Sequence, residues 1–127
     1  MQIPDDCVYT PEHEWARRED EVVTIGLTAH AVEQLGGITF IDLPDEDDEL
    51  AQGTPLGEVE SVKAVSDIYT PVSGTVLETN RALEQNPEKV DNDPYGDGWL
   101  CRVRLSDPAE LEQLMSPDQY SEYIQEE

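Results

Sequence analysis

Short stretches in which hydrophobic and polar residues alternate recur along the chain, and they predict a mainly β protein. Such alternation, rich in β-branched and aromatic residues and bounded by turn residues, is typical of strands that bury one face. Within residues 37–43 the alternation places Phe40 on the same face as Ile38, and Pro44 ends the run. The predicted strands cover residues 21–27, 37–43, 72–79 and 99–105.

Helix signals are few and lie in two parts of the chain. Thr28 can cap the N-terminus of a short helix that runs through Leu35 and stops at Gly36. Near the end of the chain, Asp107 and Ser116 can each cap the N-terminus of a helix, and each is followed by a proline at the first helical position. Apolar residues at helical spacing follow both signals. We expect these two C-terminal helices to cover one edge of the sheets.

A mirrored segment at residues 59–68 predicts a tight hairpin. If the chain folds between Lys63 and Ala64, each residue on one side faces a residue of the same chemical type on the other. The matched pairs are Val62 with Val65, Ser61 with Ser66, Glu60 with Asp67, and Val59 with Ile68. Cross-strand neighbours share a face, so a two-residue hairpin produces this pattern and leaves Lys63 at the tip.

The lysine at this tip invites a chemical explanation. Lys63 and Lys89 are the only lysines of the chain, and arginine supplies the other basic charge. Arginine cannot replace a lysine that must be acylated, since guanidinium is effectively always protonated. A primary amine can form a stable amide, and a hairpin tip gives an attaching enzyme access. The residues alone leave open an acylated lysine and an ordinary solvated lysine in a turn.

Composition then narrows the partners and the environment. The 127 residues include 30 acidic and 7 basic ones, a formal net charge of −23. Such a chain repels nucleic acid and anionic membranes, so neither is expected as a partner. Concentrated salt screens repulsion among surface acids, which predicts a halophilic source, with an ordinary acidic protein as the alternative. Five successive acids at 45–49 predict a solvated loop.

Length and side-chain chemistry set further expectations. The length predicts one domain over residues 1–127. The first residues carry no signal-peptide pattern and no apolar stretch is long enough to span a bilayer, so we expect a cytoplasmic protein. Cys7 and Cys101 form no CxxC pair, and His13 and His30 have no metal-ligand spacing, so neither a disulfide framework nor a metal site is expected.

The segment around Lys63 resembles that of a known family. Residues 60–67, Glu-Ser-Val-Lys-Ala-Val-Ser-Asp, closely resemble the lipoylation segment of glycine cleavage H proteins. The resemblance covers nearly the full chain with little insertion. The other matching segments are 9–15 (Tyr-Thr-Pro-Glu-His-Glu-Trp), 24–28, 34–36, 42–44, 71–74, 80, 86–87, 93–99 and 106–108.

The resemblance implies a fold, a cofactor and a set of partners. It implies a barrel-sandwich hybrid of two antiparallel sheets, with lipoate in amide linkage to Lys63. In the family, a pyridoxal-phosphate glycine decarboxylase (P protein) passes an aminomethyl group to the lipoyl sulfur. The tetrahydrofolate-dependent aminomethyltransferase (T protein) then takes this group, and a dihydrolipoyl dehydrogenase (L protein) reoxidises the arm. A separate enzyme attaches the lipoate, and the H protein itself is a non-catalytic carrier.

The resemblance also implies a cleft for the arm. In the family the loaded arm can fold into a cleft on its own carrier, where the Glu of the His-Glu-Trp motif contacts the cargo. That residue carries over to Glu14, and Asp67 is a second candidate for the same surroundings. Some relatives have a histidine late in the first helix, where this chain has Gln34, so the cleft departs from the family pattern there. The alternative for Glu14 is one more surface acid.

Other functions stay open at this point. A lipoyl relay, which hands its lipoyl group to other enzymes, fits the same residues. An unmodified acidic interaction module would keep the fold without the lipoate. A self-sufficient enzyme has no nucleophile–base pair, metal cluster or Gly-rich phosphate loop to support it. Biotin carriers place their lysine between methionines, and lipoyl domains of 2-oxoacid dehydrogenases usually have Asp before it, unlike Val62 here.

Overall fold

The computed structural model describes residues 2–126 and confirms the mainly β class. The strands are β1 (Val8–Tyr9), β2 (Glu14–Glu19), β3 (Val22–Leu27), β4 (Ile38–Asp42), β5 (Glu49–Leu50), β6 (Pro55–Ser61), β7 (Val65–Tyr69), β8 (Gly74–Thr79) and β9 (Cys101–Leu105). The helices are α1 (Ala29–Leu35), α2 (Ala82–Gln85), α3 (Glu88–Asn92) and α4 (Pro117–Gln125), with a 3-10 helix at Pro108–Gln113.

The strands pair into two antiparallel sheets, as expected. The larger sheet has the order β1-β2-β3-β9-β8-β5, and the smaller one has the order β4-β6-β7. Over the described residues the pairings do not join the two sheets into a closed barrel. In the smaller sheet β7 is an edge strand, so one of its sides is open to groups from elsewhere in the chain.

The core ties both sheets to the short helices. Buried side chains of β3 and β9 pack with those of β4, β6 and β7, and α1, α2 and α3 each add one buried apolar residue. A second cluster holds Tyr9, Trp15, Tyr95 and Tyr120. The indole N–H of Trp15 donates to the carbonyl oxygens of residues 27 and 94. This cluster therefore anchors the start of β2, where the His-Glu-Trp motif lies.

The predicted helix ends are confirmed by their caps. The Thr28 hydroxyl accepts a hydrogen bond from the third residue of α1, and Gly36 ends the helix in the left-handed conformation with φ of 67°. Ser116 forms a capping box at α4. Just before this helix, the backbone of Met115 pairs with that of Tyr9, so the C-terminal segment covers the β1 edge as predicted.

Three local expectations are wrong. Phe40 does not share a face with Ile38, because a β-bulge between them turns Phe40 outward to 46% exposure while Ile38 stays buried. Helices α2 and α3 lie outside the two parts of the chain where helix signals were found, one on each side of Asn86 and Pro87. The acidic run is not all loop, since Glu49 begins β5. Arg81 pairs with two acids of this run, at 45 and 46.

Two further observations concern the cysteines and the helices of the described residues. Both cysteines are free and buried, so they form no disulfide. Between residues 2 and 126, no helix has the length and apolar character needed to cross a membrane.

Candidate functional site

The β6–β7 hairpin carries Lys63 at its tip, as predicted, but its register differs from the mirror pattern. The structure pairs Glu60 with Val65 and Val59 with Ser66. In the mirror pattern the partner of each β6 residue is the β7 residue two positions later in the sequence. The predicted register is therefore wrong by two residues. Because side chains alternate with a period of two, the slip keeps every side chain on its predicted face and changes only its opposite neighbour.

Ser61 explains the register, because its side chain fixes where the turn begins. Its Oγ accepts hydrogen bonds from the backbone N–H groups of Lys63 (3.2 Å) and Ala64 (3.1 Å). The backbone N–H of Ser61 donates to the Ala64 carbonyl at 2.8 Å. Serine is favoured at the first turn position for this kind of bonding. The turn thus runs from Ser61 to Ala64, with Val62 and Lys63 at its centre.

The tip is open to solvent, and apolar side chains surround the lysine. Lys63 is exposed, and the side chains of Val62 and Val65 are 71% and 60% exposed. Phe40, which the β4 bulge turns outward, lies in one row across the sheet with Glu60 and Val65. A partner enzyme that reaches Lys63 therefore also meets apolar surface.

A narrow cleft of about 260 Å³ opens beside this tip. Helix α1 forms one wall and the β6–β7 hairpin forms another, with the segment before β2 completing it. The lining residues are Glu12, His13, Glu14, Leu27, Ala31, Gln34, Leu35, Val59, Ala64, Ser66, Asp67 and Ile68. Six of these twelve residues are apolar and six are polar or charged, so the cleft offers both apolar contacts and hydrogen-bonding groups.

The predicted hairpin residues divide between this cleft and the outward surface. Ala64, Ser66 and Asp67 line the cleft. Glu60 and Val65 instead lie in the row that contains the exposed Phe40. The structure therefore brings Asp67 and Glu14 to one cleft, as the resemblance implies, while Glu60, which shares a face of the smaller sheet with Asp67, does not line it.

Glu14 is not a surface acid but a nearly inaccessible one, with 2% exposure. Its Oε1 accepts a hydrogen bond from the Thr10 hydroxyl, and its Oε2 accepts one from the backbone N–H of Tyr69 at 3.2 Å. The second bond ties the larger sheet to the open edge of β7. Burial raises the pKa of Glu14 from its ordinary value of 4.5 to about 7, against the opposing effect of the two hydrogen bonds.

Sequence reasoning missed His13 as a cleft residue. Its Nδ1 lies 2.8 Å from the Tyr120 hydroxyl, which in turn lies 2.8 Å from Oγ1 of Thr28, the cap of α1. The ring of His13 also packs against that of His30, with centroids 4.6 Å apart. The two histidines are distant in sequence, so only the fold brings them together. The available signal was the position of His13 directly before Glu14.

No group of three or more potential metal ligands occurs among residues 2–126. The two adjacent histidines are only a pair of such ligands. The tip offers an amine, and the cleft offers the carboxyl groups of Glu12, Glu14 and Asp67 together with the imidazole of His13. An exposed lysine at a hairpin tip beside a cleft is the arrangement of a carrier domain of the lipoyl type.

Comparison with known proteins agrees with this class. The family model described as glycine cleavage H-protein matches residues 7–127. The glycine cleavage system H protein of Rubrobacter xylanophilus is 52% identical over 99% of this chain and 98% of its own length. That of Staphylococcus saprophyticus is 51% identical over 99% of this chain and 100% of its own length. The chain belongs to the glycine cleavage H-protein family.

A solved structure supports the same assignment at the level of the fold. The crystal structure of a glycine cleavage system H protein from Mycobacterium marinum superposes with a TM-score of 0.86 at 38% identity, covering 98% of each chain. Its agreement confirms the two-sheet architecture with several short helices. Family and fold together support a carrier role in the glycine cleavage system.

Proposed function

We propose that Lys63 carries lipoate in amide linkage and that this arm moves an aminomethyl group from the P protein to the T protein. The observation that carries the proposal is the position of Lys63, exposed at the centre of a tight turn beside a narrow cleft. A carrier needs both features, since its arm must reach several enzymes and also return to a protected place on its own surface.

The cleft fits a slender arm. Its volume of about 260 Å³ is below that of a pocket for a drug-sized molecule. Leu27, Leu35, Val59 and Ile68 offer apolar contacts along it. When bound, lipoate supplies a cyclic disulfide whose sulfur accepts the aminomethyl cargo.

Lys63 supplies an amine that a neighbouring enzyme can acylate. The Ser61 hydrogen bonds hold the turn, so the amine is presented by a defined backbone rather than by a loose loop. Arginine at this position would keep the positive charge but could not form the amide. The exposed side chains of Val62 and Val65 give the attaching enzyme contact area next to the amine.

Glu14 is suited to recognising a cationic amine. With a pKa of about 7, its carboxyl group is close to half protonated in the empty cleft near neutral pH. An arriving ammonium group favours the carboxylate, so binding releases the remaining proton. The resulting charge-assisted hydrogen bond holds the cargo where water has poor access. Asp67 adds a second carboxylate to the same lining.

We further propose the setting in which this carrier acts. Its partners are the P, T and L proteins and the enzyme that attaches lipoate, and its location is the cytoplasm. The net charge of −23 supports a salt-rich cytoplasm, where screening reduces repulsion among the acids. In the relay alternative, deleting the protein abolishes lipoylation of other enzymes; in the carrier function, deletion abolishes glycine oxidation.

Intact-mass analysis of protein purified from its own host tests the modification. We expect a lipoyl mass increment on the wild type, its complete loss in Lys63→Arg, and its retention in Lys89→Arg. The two variants make the same change and preserve the charge, and these are the only two lysines of the chain. An unmodified wild-type protein in cells that still oxidise glycine would contradict the proposal.

A further inference from the structure

The side chain of Lys63, although exposed, lies across the end of helix α1. A Cβ added at Gly36 would lie 3.0 Å from Cε of Lys63, 3.3 Å from its Nζ and 3.5 Å from its Cδ. Three successive atoms of one side chain thus pass the same point. The aliphatic stem of Lys63 therefore runs directly over the α-carbon of Gly36.

This contact lies at the edge of the cleft. Gln34 and Leu35, the two residues before Gly36, line the cleft from the α1 side, and Ala64 lines it from the hairpin side. The backbone N–H of Val62 donates to the carbonyl of Gly37 at 3.2 Å and ties the turn to the same segment. A side chain that leaves the turn and crosses Gly36 is therefore already directed along the rim of the cleft.

Backbone conformation alone does not account for a glycine at this position. Gly36 has a φ of 67°, and asparagine also adopts this left-handed conformation at helix ends. Gly53 has a similar φ of 83°, but an added Cβ there meets no atom within 4 Å. Glycine at position 53 is therefore explained by the positive φ alone. Glycine at position 36 is explained by the positive φ and also by the space that the Lys63 side chain occupies.

We propose that Gly36 is a positioning residue whose bare α-carbon seats the stem of Lys63 and directs the modified side chain into the cleft. This inference rests on the proposed lipoyl function and adds a determinant of where the arm goes. A seated stem samples fewer directions, which raises the local concentration of the arm at the cleft. Each methylene displaced from the seat is expected to lower the docked-to-free ratio about fourfold.

The seat can be tested first in the unmodified protein, by Gly36→Asn with Gly53→Asn as the matched control. Lysine labelled with ¹³C at the ε position gives two signals, and Lys89→Arg assigns them. We expect the Lys63 signal to show restricted motion in the wild type and in Gly53→Asn, and unconstrained lysine values in Gly36→Asn. Equal thermal melting of the two asparagine variants excludes a difference in folding. A Lys63 signal that is mobile in the wild type, or unchanged in Gly36→Asn, overturns the inference.

The second test uses the lipoylated protein after it has been loaded with the aminomethyl group and separated from its partners. We expect the cargo to be lost to water faster in Gly36→Asn than in the wild type, by up to about fourfold for each displaced methylene, and at the wild-type rate in Gly53→Asn. Equal rates in all three proteins overturn the inference and leave the carrier function standing. Absence of lipoate from the wild type contradicts the carrier function itself, and the labelling experiment still reports on the seat.

Discussion

Lys63 and Glu14 belong to one site but are held in opposite ways. Lys63 is exposed, and the bonds that position its backbone come from Ser61 and Ala64, close to it in sequence. Glu14 is buried, and the groups that bond its carboxylate come from Thr10 and from Tyr69, which lies 55 residues away. The tip is held mainly by local bonds, with one further bond from the Val62 N–H to the Gly37 carbonyl, and the acid depends on the packing of two sheets.

The difference follows from the roles proposed for the two residues. In the proposed function other enzymes reach the amine, and it lies on a turn that solvent approaches freely. In the same proposal the acid distinguishes a charged cargo from water, and a carboxylate binds such a cargo more strongly where the local dielectric is low. Burial in such a place raises the pKa of Glu14 to about 7. The comparison therefore predicts that changes at Glu14 affect stability and its pH dependence, while changes at the tip leave both nearly intact.

The largest expected effect is a pH-dependent gain in stability from Glu14→Gln. A carboxyl group whose pKa is raised on folding stabilises the fold fully below pH 4.5, and this contribution is lost as pH rises through about 7. Glutamine fits the same space and does not ionise. We expect the variant to gain about 3 kcal/mol relative to the wild type between pH 4 and pH 8, since one pKa unit corresponds to about 1.4 kcal/mol.

Denaturant unfolding of both proteins at several pH values and molar salt measures this difference. A stability difference that stays constant across that range would show that Glu14 ionises normally and that its burial has no electrostatic cost. Glu12→Gln is the matched control, because Glu12 lines the same cleft but is exposed. We expect this control to follow the wild type.

Features held by local bonds could be predicted from the sequence, whereas features that depend on distant contacts could not. The caps of α1 and the lysine at a hairpin tip follow from signals a few residues long, and all are confirmed. The predicted register of that hairpin is wrong. Matching the residues of the mirrored segment by chemical type competes with the preference of Ser61 for the first position of a turn, and in the structure Ser61 takes that position. The bulge that turns Phe40 outward depends on pairing with β6, which residues 37–43 do not encode by themselves.

Features that arise from distant contacts could not be predicted from residues alone. The family resemblance pointed to Glu14, but its burial requires the edge of β7 to lie against β2. The ring contact of His13 with His30 requires α1 to pack beside the segment before β2. Periodicity and caps describe single elements, and these contacts join elements far apart in the chain.

A smaller effect is expected from salt, which acts on the exposed acids and not on the buried Glu14. Exposed acids repel one another at low salt, and at 1 M salt the screening length is only about 3 Å. If about six like-charge contacts each cost roughly 0.3 kcal/mol, molar salt stabilises the protein by about 2 kcal/mol over millimolar salt. The pH-dependent gain of Glu14→Gln should be the same at both salt concentrations, because a buried group is screened little. Melting temperatures that do not change with salt would contradict the role given to the surface charge.

The smallest expected effect is at the tip itself, in Ser61→Ala. The variant loses the hydroxyl that accepts two turn N–H groups, but these groups are exposed and water replaces the lost bonds. We therefore expect a loss of about 0.5–1 kcal/mol, independent of pH between 5 and 8. Ser66→Ala, on the exposed part of β7 outside the turn, is the control and should cost less. A loss above about 2 kcal/mol in Ser61→Ala would mean that the turn is coupled to the core, and the tip could no longer be treated as a local structure.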